Sequence, residues 1–137
     1  MDNSLPTSQS LAAKAEERRR HARFPIHAEG TAWSKGRVAT EPFVVTVTDI
    51  SLAGMMMHTR SSELGSHEPG DVLLLGFPDP GSDHPVSLTV ELIWKSHGLI
   101  NLFGPWTFGV TFCDTPDSEI RKLLDPAAHG KEPLPES

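Results

Sequence analysis

A chain of 137 residues with 37% hydrophobic residues is long enough for one domain with one core, and a formal charge of -6 argues against a general nucleic-acid binder, which is usually basic. No apolar run approaches the roughly 20 residues that span a bilayer, and the polar start MDNSLPTSQSLAAKAEERRR lacks the apolar centre of a secretory signal, so no membrane insertion and a cytoplasmic location are expected. The single cysteine, Cys113, excludes an internal disulfide and a cysteine zinc site; beside Phe112 in an alternating stretch it reads as an inert strand thiol.

In chain order, residues 1–16 read as a disordered or marginally helical N-terminal arm. The first ten are rich in Ser, Asn, Thr and Gln, and the next ten favour helix by composition but carry little apolar stripe. Charge is concentrated just after: Lys14, Arg18, Arg19, Arg20 and Arg23 are five of the 12 basic residues. Such a local cluster on an acidic chain suits a small anionic ligand better than a long polyanion. Pro25 ends any helix at or before Arg23 or Phe24.

From there the pattern is β. A weak strand is expected within 27–39, then a strand pair at 43–50 and 54–59, and a short buried strand at 71–77. Residues 86–95 alternate, with Leu88, Val90, Leu92 and Trp94 on one side and only Ile93 breaking the pattern. Residues 106–112 alternate as well, with Trp106, Phe108, Val110 and Phe112 on one side. A period of two marks strands with one buried face, which assigns Trp94 and Trp106 to the core. Two of the three methionines Met55, Met56 and Met57 are expected inside for the same reason. Segments 60–70, 78–85 and 96–105 carry loop residues.

A last helix starts at DTPDSEIRKLL, with Asp114, Thr115 or Asp117 as cap, Ile120, Leu123 and Leu124 on one face, and Pro126 as the stop. The predicted fold is therefore mostly β: a small six-stranded antiparallel β-barrel over residues 17–125, a short C-terminal helix, a flexible N-terminal arm and a loose tail at 126–137.

Two short motifs carry the chemistry. In RRRHAR, Arg19 and Arg23 are four apart, which places them on one side of a helix or of a strand. A guanidinium fork suits phosphate oxygens and the O6/N7 edge of guanine. The competing reading is a solvated, charged helix end. The second motif is Asp49-x-Ser51-x-x-Gly54, inside VVTVTDISLAGMMMH. A carboxylate accepts from the N1–H and amino group of guanine, a serine hydroxyl donates to phosphate, and Gly54 permits close backbone approach or a positive φ. The competing reading is an Asx or Ser turn closing a hairpin. Because Phe43, Val45 and Val47 share parity with Asp49, a bulge or the strand end must intervene if the apolar trio faces the core and Asp49 faces a ligand.

Other function classes find less support. The seven histidines, His21, His27, His58, His67, His84, His97 and His129, show no metal-ligand spacing, and outside the first motif they read as surface or loop residues. No nucleophile motif or phosphate loop accompanies them, so no catalytic or metal site is expected. Trp33, Trp94 and Trp106 as stacking platforms for RNA are opposed by the net charge.

Together, Arg-x-x-x-Arg and, about 25 residues on, Asp-x-Ser-x-x-Gly in a β-barrel resemble the PilZ domain family. The stretch ELIWKSHGLINLFGPWTFGVTF is similar to that family's late strands, and the short C-terminal helix fits too. The resemblance implies a bacterial receptor for cyclic di-GMP and no cofactor. It implies that Arg19 and Arg23 hold phosphate and guanine edges, that Asp49 and Ser51 bind a guanine, and that Gly54 allows close approach. Arg18 and Arg20 would add contacts to a second, intercalated ligand. It further implies a signal passed to a protein effector when ligand orders the arm 14–24. Family members without the motifs bind no nucleotide and act as protein-interaction modules, which is the alternative reading.

Overall fold

The computed structural model describes residues 22–36, 41–79, 81–101 and 103–135. Among these, six strands close into an antiparallel barrel: β1 (Phe24–Lys35), β2 (Phe43–Ile50), β3 (Gly54–Thr59), β4 (Val72–Phe77), β5 (Val86–Asn101) and β6 (Gly104–Phe112). The order around the barrel is β1-β2-β3-β6-β5-β4, and β4 returns to pair with β1. Closure leaves no unpaired edge, which a lone sheet of this size would have to protect. Helix α1 (Asp117–Ala128) follows β6, and a 3-10 turn (Ser62–Ser66) bridges β3 and β4.

Alternation built the interior as expected. Val45 and Val47, Met55 and Met57, Leu73 and Leu75, Leu88, Val90 and Leu92, and Phe108 and Val110 all point inward and are buried. Each such side chain contributes about 1.5–3 kcal/mol when fully buried. Helix α1 packs Ile120, Leu123, Leu124 and Ala127 against β1 and β5, completing the same core.

Several boundaries differ from the sequence expectation. β1 begins at Phe24 rather than 27, and residues 37–39 of the expected strand lie outside the described residues. Pro25 is admitted because it sits at the strand start beside a register shift between Pro25 and Ala28, where no ladder donor is needed. Most of the expected loop at 96–105 is strand instead: β5 runs to Asn101 and β6 begins at Gly104, with Ser96 opposite Thr107 and His97 opposite Trp106. Ladder hydrogen bonds come from the backbone, so Ser, His and Gly side chains did not reveal them.

The expected stop at Pro126 is not met either, since α1 continues to Ala128. So late in a helix, proline removes one donor, while Ala127 stays buried and the His129 N–H reaches the Asp125 carbonyl at 3.0 Å. The helix N-cap is Pro116, without a side-chain bond; Thr115 instead accepts from Thr89 N–H at 2.9 Å and donates to Thr89 C=O at 2.8 Å. Part of the tail is docked: Leu134 N–H donates to the Arg23 carbonyl at 2.6 Å, steadying the entry to β1.

Candidate functional site

The second motif sits where β2 ends, and the bulge demanded by side-chain parity is present. Val47 pairs with Met57 but Asp49 pairs with Met56, so Thr48 is the extra residue on β2. The bulge reverses the pleat. Val47 and Ile50 both point into the core, and Asp49 between them turns out to the barrel's outer face. There the carboxylate lies 3.4 Å from the Arg23 guanidinium, with side-chain exposures of 7% for Asp49 and 43% for Arg23. The carboxylate is largely buried yet lines the cleft, so it can meet a ligand there.

Ser51 follows at the β2–β3 turn. Its hydroxyl accepts from Ala53 N–H at 3.0 Å and Gly54 N–H at 3.2 Å, and Ser51 N–H donates to the Gly54 carbonyl at 2.9 Å. The serine turn is therefore real and occupies the oxygen lone pairs. The hydroxyl proton has only a long 3.4 Å contact with the Gly54 carbonyl, so it can turn to an incoming acceptor.

Gly54 lines the same cleft and has no positive φ, and a Cβ there would collide with the Val110 carbonyl oxygen of β6.

The far wall of the cleft is a residue the alternation misplaced. Trp94 is 42% exposed rather than core. Between Leu92 and Trp94 the β5–β6 register shifts, making Ile93 the extra residue, and the following side chain leaves the core. Ile93 was the one break in that strand's alternation, and it was the available signal. Trp94 lies across Gly109, where a Cβ would meet the indole nitrogen, and it shares the cleft with Arg23, Asp49, Ser51 and Met56. Gly109→Ala is expected to displace the indole while leaving the barrel's melting temperature nearly unchanged, read as a shift in tryptophan emission. Trp106, the other tryptophan assigned to the core, is partly buried beneath Lys95 at 5.5 Å and His97 at 4.7 Å.

The cleft holds about 290 Å³. That is the bottom of the range for small-molecule sites, about 300–1,000 Å³. Arg18, Arg19 and Arg20 lie outside the described residues. A larger groove of about 430 Å³, between His27, Glu29, Arg60 and Phe103, contains neither motif.

Two histidines are buried, against the expectation of surface placement: His58 and His67. Burial lowers the His58 pKa below its ordinary 6.5, and the Asp49 charge only partly opposes this. Above that value the ring is neutral in both folded and unfolded chains. Below it the unfolded chain takes up the proton first, so stability falls as pH drops toward the folded value. Thermal melts between about pH 5 and 8 should show this loss, and His58→Gln should flatten it. The Cys113 thiol is pushed up by burial and by nearby Asp114 and Glu91, in keeping with an inert thiol.

The model of the PilZ domain matches residues 17–126. The chain belongs to the PilZ domain family. This PilZ domain shares its fold with the PilZ domain of CeSA from a cellulose-synthesising bacterium, at TM-score 0.54 and 8% identity over 77% of this chain and 93% of that one. It also shares it with the inhibitor of motility MotI/DgrA of Bacillus subtilis, at TM-score 0.58 and 12% identity over 79% of this chain. The chain spans about half of the MotI chain, 48%. No curated protein sequence matches it. PilZ domains are regulatory binding modules rather than catalysts. Among the described residues, no helix is long and apolar enough to cross a membrane.

Proposed function

We propose that this PilZ domain is a cyclic di-GMP receptor that passes its signal to a protein effector. The observation that carries the reading is Asp49: a bulge turns it from the core into a cleft beside Arg23 and Trp94. Its carboxylate accepts from guanine N1–H and the exocyclic amine. Arg23 and, through the four-residue spacing, Arg19 address phosphate or the guanine O6/N7 edge. The Ser51 hydroxyl proton turns from its long turn contact to a phosphate oxygen. Trp94 offers an aromatic face to the base, an interaction worth about 1–3 kcal/mol per stacked base. A ligand too large for the cleft draws the arginine-bearing arm 14–24 over itself, and the ordered arm is the signal.

Calorimetric titration of the whole chain with cyclic di-GMP and cyclic di-AMP tests this. Adenine has no N1–H to give Asp49, so the adenine ligand should bind at least about tenfold more weakly, the worth of one or two lost hydrogen bonds. Hydrogen exchange of residues 14–24 should slow with cyclic di-GMP, and equal protection in both states refutes the ordering step. The second reading, an interaction module without nucleotide, draws on the apolar outer face where Trp33 and Leu74 stay 42% and 37% exposed. A folded chain that binds neither nucleotide moves the function there.

A further inference from the structure

Asp49 reaches the cleft only because Thr48 is bulged. An extra residue in a strand has no ladder partner and can relax to the regular register. A one-residue relaxation would exchange the faces of Asp49 and Ile50, sending the carboxylate inward and an isoleucine to the ligand. Something must hold the bulge, and the structure places a polar chain directly behind it. The Thr48 hydroxyl lies 3.0 Å from His58 Nε2, and the other ring nitrogen, Nδ1, lies 3.2 Å from the Thr107 hydroxyl. His58 pairs across the ladder with Thr46 on β2 and Thr107 on β6, so the chain of contacts ties three adjacent strands. The ring is 8% exposed, with Phe103 packed over it at 5.7 Å.

The chemistry of the three groups matches. A neutral imidazole has one donor and one acceptor nitrogen, and a threonine hydroxyl serves either one. Flanked by two hydroxyls, the buried ring is fully satisfied without a charge, which is the condition under which a polar network rigidifies rather than weakens a fold. With valine at position 48, a ring nitrogen loses its partner and the bulge loses its tether at once.

We infer that Thr48, His58 and Thr107 form a brace that positions Asp49 for its ligand. The inference rests on the receptor reading for its ligand, and on this geometry alone for the bulge. All three are positioning residues, because Asp49 makes the contact.

The test compares Thr48→Val, which keeps the shape and removes the hydroxyl, with Thr48→Ser, which keeps the hydroxyl. Two quantities are read on the whole chain: amide exchange over residues 47–50, and affinity for cyclic di-GMP. Thr48→Val should exchange faster at Asp49 and Ile50 and bind about tenfold more weakly, the worth of one net hydrogen bond. Thr48→Ser should restore both. If Thr48→Val does not fold, Thr107→Val cuts the same brace from β6. Unchanged exchange in the valine variants overturns the brace, as does unchanged affinity beside a wild type that binds. A wild type that does not bind overturns the receptor reading instead, and the exchange measurement then decides the brace by itself.

Discussion

Asp49→Ala is expected to lose about 2–5 kcal/mol of cyclic di-GMP binding, a factor of roughly thirty to several thousand in Kd. The size follows from the setting. The carboxylate is only 7% exposed and has Arg23 at 3.4 Å, so its charge is shielded from water and concentrated on whatever enters the cleft. Removing it leaves the two guanine donors unpaired on a desolvated wall, which costs more than the bond itself was worth. Asp49→Asn should recover only part of the loss, since an amide presents one acceptor where the carboxylate presents two. Arg23→Ala should also weaken binding, by deleting a ligand contact and leaving Asp49 without its counter-charge. Titration calorimetry reads all three, with thermal melts to confirm folding. Undiminished binding by Asp49→Ala would sink the assignment of that residue to the guanine.

How much of this was legible beforehand depended on which physical signal each residue carried. Hydrophobic alternation located the strands, because a half-buried strand must repeat every two residues. The bulge at Thr48 was legible by contradiction, since Val47 and Asp49 cannot share a face if one is core and the other binds a ligand. The bulge at Ile93 is visible in the sequence as a lone break, but the alternation does not show its consequence: one extra residue turns the next side chain, Trp94, to the outer face. Ser51 shows a different limit. Its turn and ligand readings stood as alternatives, whereas the hydroxyl's lone pairs serve the turn and its proton remains for a ligand. His58 was illegible, because its burial comes from Phe103 at the β5–β6 turn and from strands that are distant in sequence.

Gly54→Ala is expected to act mainly on the fold, although Gly54 belongs to the binding motif. A Cβ there would collide with the Val110 carbonyl oxygen and come within 3.2 Å of Thr111 Cα, both backbone atoms of β6. No rotamer relieves a clash with backbone, so β3 and β6 must separate at this point. The same spot is pinned by two bonds to the Ala53 carbonyl, from the Thr111 hydroxyl at 2.9 Å and from Phe112 N–H at 3.1 Å. Overpacking of this kind costs typically about 1–3 kcal/mol and occasionally more. At roughly 3–6 °C of melting temperature per kcal/mol, between the values for domains of about 100 and about 150 residues, the loss is easily measured. Binding should fall as well, because the Ser51 turn is hung from those two bonds. Gly109→Ala is the contrasting case, since its added Cβ meets a 42%-exposed tryptophan side chain rather than backbone. A large drop in melting temperature for Gly54→Ala with little for Gly109→Ala would place the motif glycine in the barrel's closure. An unchanged melting temperature with lost binding for Gly54→Ala would return it to the ligand.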